Sequence, residues 1–121
     1  MIIAVDFDGT IVQYPNSNKL MENVSDTLKY IKNQGNTLIL NTCRCGIQMN
    51  MCIDILKANN IYEYFDYINQ NSKELIDHYK VEARKISADM YIDDRNFGGF
   101  PGWDAIKEYF IDTGFIPAIL H

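Results

Sequence analysis

The chain has 121 residues, 47% of them apolar, with 11 Lys and Arg against 16 Asp and Glu, a net charge of -5 and a pI near 4.8. That length holds one hydrophobic core and no separate lid domain, so residues 1–121 are expected to form a single catalytic domain. The acidic balance argues against a broad footprint for nucleic acid or an anionic membrane, and no apolar run reaches the roughly 20 residues of a membrane span. The first ten residues lack the basic start and cleavage site of a signal peptide. Cys43, Cys45 and Cys52 are an odd set, and Cys43 and Cys45 are too close for an ordinary structural disulfide. A reducing, cytoplasmic setting is therefore expected.

In chain order, Ile2 to Asp6 is predicted as a buried strand from its continuous apolar, β-branched run. Residues 13–23 are polar and turn-rich. Asn23 or Ser25 is positioned to cap a helix whose stripe is Val24, Leu28 and Ile31, with Gly35 as its stop. Thr37 to Asn41 predicts a second strand. Ile47, Met51 and Ile55 recur at helical spacing beside Cys52 and Leu56, predicting a helix that ends near Asn59 with its Met and Cys as core filler. Phe65 to Ile68 predicts a short strand. Ser72 then caps a helix through Leu75, Ile76 and Tyr79, and Met90 to Ile92 predicts a strand ending in Asp93 and Asp94. A loop, NFGGFPGW, leads into a helix through Trp103, Ile106 and Phe110. Strands alternating with helices imply an α/β fold: a three-layer, Rossmann-like parallel sheet with crossover helices.

In such sheets, ligands bind beyond the carboxyl ends of the strands. Asp6 and Asp8 follow the first strand and share one side of an extended segment, because residues i and i+2 point the same way. Thr42 follows the second strand, and Asp93 and Asp94 follow the fourth, so three segments deliver polar groups to one edge. Two unit charges about 4 Å apart cost roughly 4 kcal/mol at an effective dielectric of about 20. Four carboxylates at one edge therefore call for a cation, and an all-oxygen set favours Mg²⁺ over zinc. A zinc site would need four ligands at characteristic spacings, and only His78 and His121 could join the cysteines.

These residues carry a resemblance. DFDGT at 6–10, LILNT at 38–42, Lys85 and YIDD at 91–94 resemble, in order, the four motifs of the haloacid dehalogenase-like (HAD) phosphohydrolases, and NFGGFPGW resembles small members without a cap domain. The resemblance implies a capless HAD-like fold and a Mg²⁺-dependent phosphomonoester hydrolase that forms an aspartyl-phosphate. Asp6 would be the nucleophile, since an ionised carboxylate needs no base. Asp8 would be the general acid and base, with its backbone carbonyl on Mg²⁺. Thr42 would donate to a phosphoryl oxygen and Lys85 would neutralise developing charge. Asp94 would bind the metal directly and Asp93 through water.

Several alternatives stay open in the sequence. Lys80 and Arg84 compete with Lys85, which is followed by Ile86-Ser87 where related small proteins carry Pro before Ala-Asp. Arg44 could grip the substrate phosphate bidentately or form an ion pair. Trp103 and Phe100 could stack on a substrate or pack in the core. The substrate could be a small phosphomonoester, a nucleotide or a phosphorylated macromolecule; a nonenzymatic binding module would be marked by loss of Asp6 or the acidic pair, and both are present. Asp8 disfavours dehalogenation, which needs no acid for an alkoxide. The apolar tail FIPAIL at 115–120 and the aromatic loop point to a homo-oligomer.

Overall fold

A computed structural model describes residues 1–15, 19–70 and 86–113. Strands β1 (Ile2–Val5), β2 (Thr37–Leu40), β3 (Tyr67–Ile68) and β4 (Met90–Ile92) form one parallel sheet in the order β3-β2-β1-β4. Helices α1 (Val24–Asn33), α2 (Gly46–Ala58) and α3 (Trp103–Asp112) pack with it. The α/β, Rossmann-like expectation holds, with no cap domain among the described residues. The helix predicted through Leu75, Ile76 and Tyr79 and the tail FIPAIL lie outside those residues. No described helix is long and apolar enough to cross a membrane.

Side chains alternate across the strands as a pleat requires. Ile3, Val5, Leu38 and Leu40 enter the main core with Val24, Leu28 and Ile31 of α1, Cys52 and Leu56 of α2, and Trp103, Ile106 and Phe110 of α3. Ala4 and Ile39 face the other way, against Ile86. Along the sheet, β1, β2 and β3 step outward in one direction, whereas β4 returns to the opposite flank of β1. The reversal falls between β1 and β4, and an α/β sheet opens a crevice at such a switch point. Register sharpens this, because Val5 lies beside both Leu40 and Ile92, and Leu40 beside Ile68. The next residues, Asp6, Asn41, Asn69 and Asp93, therefore stand level at one edge.

Three local expectations need correction, and one open choice, that of Trp103, is decided for the core. Asn23 does precede α1, but at φ 63 its side chain makes no capping bond; its amide donates instead to Asp104 at the start of α3, 2.6 Å away. In α2 the buried positions are Cys52 and Leu56, while Ile47 is 78% exposed and Met51 45%. A helix with apolar residues on several sides has more than one candidate stripe, and packing chose the one centred on Cys52 and Leu56. The strand predicted from Phe65 begins only at Tyr67, after a 3₁₀ turn at Tyr62–Tyr64. The Asp66 carboxylate accepts the Leu38 N–H at 2.9 Å and pairs with Lys32, taking a place the backbone ladder would otherwise fill. Trp103 is a core residue and no stacking surface: it is 1% exposed, and its indole donates to the Thr10 carbonyl at 2.7 Å. Phe100 meets it edge-on at 5.6 Å, which leaves Phe97 as the fully exposed aromatic of that loop.

Candidate active site

The turn after β1 is closed by its own backbone. The Phe7 carbonyl accepts the amides of Thr10, Ile11 and Val12, and Gly9 donates to the Val12 carbonyl at 2.9 Å. Phe7 is completely buried and anchors the turn, while Asp6 and Asp8 on either side of it are half-buried. The Asp6 amide donates to the Ile92 carbonyl at 2.9 Å, which ties the start of the turn to β4. Gly9 has φ +76, and a Cβ there would lie 2.3 Å from Oδ2 of Asp94. Glycine is thus required twice over, for its backbone angle and for the close approach of a carboxylate.

Asp6, Asp8, Thr42, Asp93 and Asp94 line one cleft of about 420 Å³ at this edge, joined by Tyr14, Cys43 and Arg95. Burial pushes the Asp6 carboxyl up to about 6; the Phe7 N–H opposes this, and the charges of Asp94, Asp93 and Asp8 add to it. Asp8 is held by Arg44 in a two-point ion pair, Nη2 to Oδ1 at 2.7 Å and Nε to Oδ2 at 2.9 Å. Thr42 is buried. Its hydroxyl oxygen accepts the Arg44 N–H at 3.2 Å, leaving its own proton free to be donated. Oδ1 of Asp93 accepts the Arg95 N–H at 2.9 Å, whereas the Asp94 carboxylate lies against Gly9. Lys85, with its competitors Lys80 and Arg84, lies outside the described residues. Among the described residues, no three His, Cys, Asp or Glu side chains converge tightly enough to cage a metal by themselves.

Asn69 is a residue of this edge that the sequence reading did not single out. It sits at φ 52 directly after β3, and its side-chain oxygen accepts the Thr42 N–H at 2.8 Å, fixing the backbone that presents the hydroxyl. The rule that selected Asp6 and Asp93, a polar residue immediately after a strand, would have found it. The cysteines divide by burial: Cys43 and Cys45 are exposed free thiols, and burial pushes the Cys52 thiol up to about 12, so it stays protonated and inert.

The fold is thus a parallel α/β sheet whose switch point gathers carboxylates from the ends of β1 and β4 beside a buried hydroxyl that follows β2. Residues 3–97 match the model of the haloacid dehalogenase-like hydrolases, and the chain belongs to that family. A solved structure described as a conserved protein from Bacteroides thetaiotaomicron is 36% identical, with a TM-score of 0.78 over 100% of this chain and 97% of that one. No curated protein matches the chain.

Proposed function

We propose that the chain is a Mg²⁺-dependent phosphomonoester hydrolase working through an aspartyl-phosphate on Asp6. The observation that carries this reading is the half-buried Asp6 carboxylate at the end of an inner strand, with Asp94, Asp93 and Asp8 close enough to disfavour its charge. A carboxylate in that position both calls for a cation and, once ionised, is a nucleophile. Every donor from the acidic residues is oxygen, which suits Mg²⁺. That ion keeps several waters and takes only one or two carboxylates, so a ready-made cage is not required. Asp6, Asp94 and the carbonyl of Asp8 would hold it, with Asp93 contributing through water. When bound, the ion supplies the positive charge that lets a phosphate approach an anionic nucleophile.

The chain's own residues account for the rest. Asp6 attacks phosphorus and forms the acyl phosphate, and the leaving oxygen departs with a proton from Asp8. Asp8 then takes a proton from the water that cleaves the acyl phosphate, releasing inorganic phosphate and restoring Asp6. The free proton of the Thr42 hydroxyl is available to a phosphoryl oxygen. Lys85 enters this scheme from the sequence alone, as the cation for developing charge. With Mg²⁺, the parent protein should hydrolyse 4-nitrophenyl phosphate and lose that activity in EDTA. Asp6→Asn, nearly isosteric but not nucleophilic, should abolish turnover with an unchanged circular dichroism spectrum. Turnover within tenfold of the parent would overturn the covalent mechanism.

A further inference from the structure

We propose that Arg44 is the positioning residue of Asp8 and does not serve to grip the phosphoryl group. This rests on the phosphatase reading above, in which Asp8 moves the protons. Both guanidinium bonds to Asp8 are short, and they use both carboxylate oxygens. This fork-to-fork pairing fixes the plane of the carboxylate as well as its distance, which a single-point contact cannot do. The Arg44 side chain is 14% exposed, against 31% for Asp8, so the cation lies deeper than the carboxylate it holds. Its guanidinium carbon sits 4.9 Å from the ring centre of Phe7, the buried anchor between the two aspartates. Arg44 is thus fixed on one side by an aromatic ring and on another by Asp8.

The chemistry of the pair explains why such a clamp is useful. A terminal carboxylate torsion is broad, so an unclamped Asp8 would spread over many orientations. Proton transfer to a leaving oxygen needs heavy atoms within about 3.2 Å, and a small misplacement is expensive in rate. An ionised carboxylate has about four lone-pair sites, and the two guanidinium bonds occupy two of them. One site on each oxygen is left for a proton or a water. Arg44 also donates its backbone N–H to Thr42, so the loop carrying the hydroxyl is the same loop that orients the acid.

The test is a double-mutant cycle read on two esters, 4-nitrophenyl phosphate with a good leaving group and a simple alkyl phosphate with a poor one. Arg44→Ala should lower kcat on the alkyl ester at least about tenfold more than it slows the nitrophenolate burst, with KM within about threefold of the parent. Arg44→Lys should fail to rescue, because an ammonium cannot bond both oxygens at once. Asp8→Asn should still release one burst of nitrophenolate, and adding Arg44→Ala to it should leave the burst rate within about twofold. A raised KM that Arg44→Lys restores, or a burst slowed further in the Asp8→Asn background, would show that Arg44 acts on the phosphate and overturn this role alone. Equal losses on both esters with a lowered melting temperature would reduce it to a structural ion pair. No turnover by the parent on either ester would overturn the phosphatase reading and this role with it.

Discussion

The two acidic arms of the cleft are built differently. Asp6 and Asp8 leave an inner strand, half-buried, in a turn whose amides converge on the Phe7 carbonyl and whose second carboxylate is clamped by Arg44. Asp93 and Asp94 leave β4, the outermost of the described strands on that side; Asp94, Arg95, Asn96 and Phe97 are all exposed, and Asp93 accepts a local bond from the Arg95 N–H. The first arm is over-determined and the second is adjustable. That division suits a site in which the reacting carboxylate has to be held still while the neighbouring acidic pair adapts to an ion with its own geometric demands.

If the arms divide the work in this way, the largest effect short of removing Asp6 falls on Asp94. Asp94→Ala should weaken Mg²⁺ at least about a hundredfold by isothermal titration, and Asp93→Ala about tenfold or less, since a group acting through water is a smaller loss. Equal effects would erase the distinction between direct and water-mediated ligation. Next, Gly9→Ala probes the place where the turn meets the Asp94 carboxylate. A methyl group would have to push the Asp94 carboxylate aside, and the left-handed backbone adds about 1–2 kcal/mol of strain. The variant should melt at a lower temperature and bind Mg²⁺ more weakly. An unchanged Mg²⁺ affinity would mean that the position of Asp94 at the turn is of no consequence to the ion.

The smallest effect is on pH. With the Asp6 carboxyl at about 6, roughly one molecule in ten carries the charge at pH 5 and about nine in ten at pH 7. Mg²⁺ binding should therefore be about tenfold weaker at pH 5, with a proton released on binding. The sign for stability follows from the same shift. A group raised above its ordinary 3.8 contributes stability that is fully present below about pH 4 and is lost as pH rises through about 6. In EDTA, Asp6→Asn should gain in melting temperature on the parent across that window, and a flat difference between pH 4 and 7 would contradict the strained state assigned to Asp6.

Features with a short repeat were legible in the sequence. The shared direction of Asp6 and Asp8, the alternation of strands and helices, the stripe of α1 and the acidic ends of β1 and β4 all follow from periods of two or 3.6 residues and from the rule that ligands gather at strand carboxyl ends. What only the tertiary structure decided are choices among partners distant along the chain. Arg44 was equally suited to a phosphate or an ion pair until the fold set it against Asp8, 36 residues away. Trp103 was suited to a ligand or a core until it met the Thr10 carbonyl, 93 residues away. Gly9 reads as a turn residue, yet the space it keeps open belongs to Asp94. Local propensity acts through a few bonds of backbone, whereas the partner of a polar side chain is set by which strands lie side by side, and that depends on how the whole core packs.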